Sequence, residues 1–153
     1  MTHIKIRIAI YKSFYYVEKM RNENKKRQTG CPVAFGLDTF GDRWTLLIIR
    51  EIMLQGKKTY SEFIEADEGI ATNILIDRLK HLEAEGIVEK ERDPDNRRSF
   101  LYSLTKKGRD LAPILLEIII WSGEHDKRPY AMKTVLAKIE SDRAGFEAGL
   151  RSE

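Results

Sequence analysis

Apolar residues recur along this chain in two rhythms, and the change from one to the other marks its organisation. From His3 to Val17, isoleucines stand at alternate positions, Ile4, Ile6, Ile8 and Ile10, ahead of an aromatic run at Phe14-Tyr15-Tyr16. Period two favours a strand, although no hairpin turn follows nearby. Met20 to Gly30 is polar and basic and reads as a flexible arm. Residues 1–30 therefore form a basic extension, partly disordered or partly upstream of the true start, for which Met1 and Met20 are alternatives.

From Cys31 the rhythm becomes helical. Pro32 suits a first helical position, Val33, Leu37 and Phe40 give a short apolar face, and Gly41 ends it. Asp42 is placed to cap the next helix, Trp44 to Leu54, which is apolar on nearly all sides and should be deeply buried, with Gly56 closing it. Thr59-Tyr-Ser-Glu62 is a capping box that opens a short helix with Tyr60, Phe63 and Ile64 inward. Asp67-Glu68-Gly69 is a turn. A longer helix then runs from about Ala71 to Glu85, with Leu75, Leu79 and Leu82 on one face and Gly86 at its end.

Short helix, tight turn and longer helix make a helix-turn-helix. Ile87 to Arg92 and Ser99 to Leu104 read as two strands around a hairpin tip, Asp93-Pro-Asp-Asn-Arg97-Arg98. Thr105 caps a long helix bearing Leu111, Ile114, Leu115, Ile118, Ile119 and Trp121. After Pro129, a final amphipathic helix is expected with Met132, Val135, Leu136, Ile139, Phe146 and Leu150 inward. The fold class is mainly α with a small β-hairpin, a dimeric winged helix-turn-helix: residues 31–125 hold the DNA-binding domain and its dimerisation helix, and 126–153 the C-terminal helix.

That pattern has a chemical use. A helix fits the major groove, where base edges are distinguishable, while a hairpin reaches the flanking backbone or minor groove. With the three leucines inward, the opposite helix face offers Thr72, Asn73, Ile76, Asp77 and Lys80. Asn73 suits adenine, Ile76 a thymine methyl, and Asp77 a cytosine amine. Arg97 and Arg98 would neutralise phosphates or enter a minor groove. Lys57, Lys58 and Thr59, with the amide donors at the start of the third helix, are further phosphate candidates. The expected partner is duplex DNA.

Charge sharpens this picture. The net charge is +3, but residues 1–30 carry +6, 31–125 carry −4 and 126–153 carry +1. DNA binding must then come from local clusters rather than a uniformly positive surface. A winged helix used only for protein contacts stays as the rival reading, to which the acidic balance of 31–125 lends some weight. Against it stand the arginine hairpin and the basic arm at Lys25-Lys26-Arg27.

An enzyme is disfavoured. His3, His81 and His125 show no metal-ligand spacing, and neither a phosphate loop nor a nucleophile motif is present. No cofactor or metal is expected, and a small-molecule effector of unspecified chemistry is compatible with the reading. With no membrane-length apolar run and no signal-peptide core, the sequence predicts a cytoplasmic protein.

Cys31-Pro32-Val33, Gly41-Asp-Arg-Trp44-Thr-Leu-Leu-Ile-Ile-Arg50, Leu79-Lys-His-Leu-Glu-Ala-Glu-Gly86 and Tyr102-Ser-Leu-Thr105-Lys-Lys-Gly108 together resemble HxlR-type regulators over about residues 31–121. The hairpin Arg92 to Arg98 also resembles that of MarR-type regulators. The HxlR resemblance implies a dimeric winged-helix regulator, often a repressor, whose first and last family helices make the dimer contact. Two positions depart from it: Thr59-Tyr60 stands where the family usually has an arginine before a phenylalanine, and Ala71 where a serine or threonine commonly opens the recognition helix.

Cys31 is the sole cysteine, so no intrachain disulfide can form. It precedes a helix, where dipole and basic neighbours favour thiolate, and some relatives of the HxlR type use a matching cysteine to sense oxidants or electrophiles. The other reading is a small residue packed into the dimer contact. The long helix carries more apolar surface than one face needs, which predicts a partner subunit over Ile114, Ile118 and Trp121; the HxlR resemblance implies that Val33 and Leu37 of the first helix join that contact. A final helix covering the same surface within one chain is compatible with this.

Overall fold

The computed structural model describes residues 30–128 and 133–152. The alternating segment at 3–17, with His3, lies outside the described residues, as do Met20, Lys25-Lys26-Arg27, Pro129 and Met132. The chain divides into two compact units, Met1–Asp42 and Arg43–Glu153.

In the first unit, α1 spans Pro32–Phe40. Cys31 is its N-cap in extended geometry, Pro32 occupies the first turn where no amide is needed, and the Gly41 N–H donates to the Leu37 carbonyl to close it. Val33, Phe35 and Leu37 are all exposed.

The second unit begins with α2, Arg43–Gln55, which buries Ile48, Ile49 and Met53, together with Thr45 and Glu51. Gly56, at φ +66°, makes the left-handed turn out of it. Helix α3, Tyr60–Ile64, carries the expected capping box, with Phe63 buried while Tyr60 and Ile64 are only half-buried. Helix α4 runs Thr72–Ala84 and buries Leu75, Leu79 and Leu82. Each such side chain contributes about 1.5–3 kcal/mol. Strands β1, Val88–Arg92, and β2, Phe100–Leu104, pair antiparallel with Lys90 opposite Tyr102. Thr59 forms an isolated bridge with Leu101, and the Tyr102 N–H donates to the Lys58 carbonyl at 2.7 Å. The segment ahead of α3 thereby becomes a third edge of the hairpin.

Two expectations about helix length are corrected. The helix capped by Thr105 is not one long element: α5 covers only Lys106–Arg109, and α6, Ala112–His125, starts anew. Pro113 explains the break, since it lacks an N–H and its ring would clash with the carbonyl of Arg109 in a continuous helix. The C-terminal helix is also two, α7 at Lys133–Ser141 and α8 at Arg143–Ser152. Asp142 divides them, its carboxylate accepting the Gly145 N–H at 2.9 Å as the cap of α8.

Helices α7 and α8 pack on one flank of α6. Ile139 is buried, Arg143 pairs with Glu117, and Arg151 reaches Asp110 at 2.7 Å. Another stripe of α6 stays bare: Ile114, Ile118 and Trp121 are exposed, Trp121 at 64%. Among the described residues, no helix is long and apolar enough to cross a membrane.

Gly108 marks the tightest approach behind the hairpin, where a β-carbon would lie 2.2 Å from the Ile87 carbonyl oxygen. Backbone cannot yield as a side-chain tip can. Gly108→Ala is expected to cost at least about 2 kcal/mol, lowering Tm by roughly 4–8 °C in a chain of this size. A Tm within 1 °C of wild type, measured by calorimetry, would contradict that close approach.

Candidate nucleic-acid interface

With Leu75, Leu79 and Leu82 turned into the core, the remaining face of α4 is fixed outward. Thr72, Asn73, Ile76, Asp77 and Lys80 are all exposed along it. Asp77 pairs with its neighbour Arg78 at 2.5 Å, which offsets its charge at that face. The helix opens on Ala71, which is extended and gives no side-chain cap, leaving first-turn amides without the hydroxyl acceptor usual there. Tyr60, from α3, donates its hydroxyl to the Thr72 carbonyl at 3.4 Å, a long bond that ties the two helices at the start of the exposed face.

The hairpin tip is held by short polar links. The Asp93 carboxylate accepts the Asp95 and Asn96 N–H groups, and the Asn96 side-chain oxygen accepts the Arg98 N–H. Arg97 and Arg98 are both exposed on this turn. Sequence reasoning missed Arg92, which stacks 4.7 Å over the Phe100 ring and donates to the Arg97 carbonyl at 2.8 Å. Its signal was the cross-strand register, which sets it opposite Phe100. Lys90 lies over the same ring and pairs with Glu83 at the end of α4, linking hairpin to helix.

The third predicted cluster is arranged differently from expectation. Glu62 accepts hydrogen bonds from the Lys58 N–H, the Thr59 N–H and the Thr59 hydroxyl, at 2.9, 2.7 and 2.8 Å. Those amides, expected as phosphate donors, already hold a carboxylate. The backbone bonds, that from Lys58 first, keep the Glu62 carboxyl below its usual pKa. Lys57 is drawn to Glu51 at 2.5 Å. Burial alone would raise the Glu51 pKa, but hydrogen bonds from Lys57 and Arg50 prevail and hold it low. Of the three residues, the Lys58 side chain stays exposed.

Among the described residues, no group of His, Cys, Asp or Glu could hold a metal ion. Cys31 is exposed at the α1 N-cap. The arrangement is a solvent-facing helix of mixed polar and apolar side chains beside an arginine-tipped hairpin.

The profile of the HxlR-like helix-turn-helix family matches residues 39–130. The chain belongs to that family. It is similar to the uncharacterized HTH-type transcriptional regulator YybR of Bacillus subtilis (strain 168), at 39% identity over 98 residues, covering 64% of this chain and 77% of that protein. YvaP, an uncharacterized HTH-type transcriptional regulator of the same strain, is 40% identical over 95 residues, covering 61% of this chain and 87% of the relative. Among solved structures, the redox regulator HypR in its oxidized form superposes with a TM-score of 0.55 at 37% identity, covering 61% of this chain and 96% of that one. This HxlR-like chain is a DNA-binding transcriptional regulator of the winged helix-turn-helix class.

The bare N-cap yields a stability test. Ala71→Ser supplies the missing acceptor in backbone geometry that suits a cap, and should raise stability by about 1 kcal/mol, or roughly 2–4 °C in Tm. Thermal unfolding that leaves Tm unchanged would show the first turn of α4 to be satisfied in another way.

Proposed function

We propose that this regulator binds duplex DNA as a homodimer and represses by occupying its operator, with α4 in the major groove and the hairpin on the flanking backbone or minor groove. The observation carrying the reading is the outward face of α4. Burial of three leucines leaves Asn73, Ile76 and Lys80 exposed on a helix that begins without a cap. Asn73 reads adenine, Ile76 meets a thymine methyl, and Asp77 accepts from a cytosine amine. Lys80, Lys58, Arg97 and Arg98 supply backbone contacts, while Thr72 stands at the groove edge. Working on the chromosome places the protein in the cytoplasm.

Dimerisation rests on exposed apolar residues. Val33 and Leu37 of α1 are 67% and 61% exposed, and Ile114, Ile118 and Trp121 line the bare stripe of α6. Cys31 belongs to the proposal as an oxidant- or electrophile-reactive thiol: it is exposed, and the similar HypR is by name a redox regulator. A mixed disulfide, an adduct or a bridge between subunits would be the product.

Two experiments test these roles. In a salt series on a fluorescent duplex enriched by wild-type protein from a random pool, Arg97→Ala with Arg98→Ala should weaken binding to any duplex. The log–log slope should flatten by about 0.9 for each phosphate that is no longer neutralised. Asn73→Ala, in the same assay, should relax preference at one base position and leave binding to scrambled DNA intact. Unchanged slope would remove the hairpin from the interface, and uniform weakening at Asn73 would remove base reading there.

Ile118→Asp places a charge in the apolar stripe and should convert dimer to monomer. Light scattering after gel filtration reads the mass directly. A dimer that persists at micromolar concentration would move the subunit interface elsewhere.

A further inference from the structure

Five charged side chains form a chain across the second unit, and the DNA-reading face leaves them unused. Arg43 pairs with Glu68 at 2.8 Å, Glu68 with Arg50 at 3.1 Å, Arg50 with Glu51, and Glu51 with Lys57 at 2.5 Å. Glu51 is the most deeply placed, at 6% exposure in the middle of α2. A carboxylate there is tolerable only while paired, because water is excluded from it. Arg50 and Lys57 grip it from either side, and the Lys57 N–H also donates to the Glu51 carbonyl at 3.1 Å. One residue of α2 therefore holds Lys57 by both its main chain and its ammonium.

The two residues after Lys57 carry that grip outward. Lys58 offers its carbonyl to the Tyr102 N–H, and Thr59 bridges Leu101, so both are joined to β2 of the hairpin. Thr59 also caps α3, the first helix of the helix-turn-helix, with Glu62 closing the box. At the other end of the charge chain, Glu68 lies in the turn between α3 and α4 and is held by Arg43 and Arg50. The same network thus grips the segment that carries the hairpin edge and the turn that launches α4.

We propose that buried Glu51 and half-buried Lys57 are a positioning pair that fixes the spacing between hairpin and recognition helix, so that Lys57 serves DNA reading without touching a phosphate. The inference rests on the DNA-reading function proposed above. A positioning role and a phosphate contact differ in what they do to unselected DNA. Disturbed spacing harms only the duplex that engages helix and hairpin together. Removing a phosphate contact harms every duplex alike and releases fewer counterions.

The experiment uses the full chain, a duplex enriched by wild-type protein from a random pool, and a scrambled duplex of equal length. For Lys57→Met, affinity for the enriched duplex should fall about ten-fold, with scrambled-duplex affinity within about two-fold of wild type and the salt slope unchanged. Glu51→Gln should do the same, and the double variant should be no worse than either single, because the residues act as a unit. Lys57→Arg, which keeps a cation for Glu51, should restore the ratio. Should Glu51→Gln fail to fold by circular dichroism, the two Lys57 variants carry the test.

Equal weakening on both duplexes with a shallower slope would make Lys57 a phosphate contact and overturn the proposal, as would additive effects in the double variant. A wild type that enriches no duplex overturns the DNA reading itself. A wild type that enriches one, with variants that match it, overturns the pair alone.

Discussion

Burial of Leu75, Leu79 and Leu82 is the constraint on which the interface depends. Those side chains lie at spacings of four and three along α4 and vanish into the second unit. Their burial fixes the rotation of the helix, and with it which side chains face water. Asn73, Ile76 and Lys80 are exposed because their neighbours cannot be. A helix rotated by one position would expose leucine and bury lysine, and losing three leucines at about 1.5–3 kcal/mol each is comparable with the whole margin of about 5–15 kcal/mol that separates native from unfolded states. Specificity of surface is here a by-product of the core.

Much of this was legible in the sequence because the signals were local. The capping box at Thr59 and Glu62, the leucine spacing of α4, and the hairpin tip between Arg92 and Ser99 each need only a few neighbouring residues to be read. The breaks in the long helices were harder. Pro113 stands where a first-turn proline is welcome, so the same residue reads as the interior of one helix or the start of another, depending on where the preceding turn ends. Asp142 was equally ambiguous between a helix surface and a cap. The charge chain was invisible for a different reason: Arg43, Glu51 and Glu68 look like ordinary surface residues in sequence. Only folding brings Glu68 against Arg50, eighteen positions away.

The charge distribution gains meaning from those pairings. Residues 31–125 carry −4 in total, a poor recommendation for a partner of DNA. Several of those acids are consumed internally: Glu51 and Glu68 by arginines and a lysine, Glu62 by main-chain donors, Asp77 by Arg78, Glu83 by Lys90. What the protein shows to an approaching polyanion is set less by its sum of charges than by which ones remain outward. Lys57 counts as a cation in the sum yet spends its charge on a buried carboxylate.

The clasp between Arg151 and Asp110 has a consequence in time. Its partners are separated by 41 residues, and the clasp between Arg143 and Glu117 by 26. At about 5–20 residues per second on the ribosome, Glu117 of α6 emerges roughly 1–5 s before Arg143 at the start of the helix that closes over its flank. During that interval a growing chain displays two apolar sides of α6 rather than one. Nascent chains on the same messenger that meet through the wrong side would be trapped before α8 exists to cover it, which makes the pace of translation through the last helices a factor in how much native protein is made.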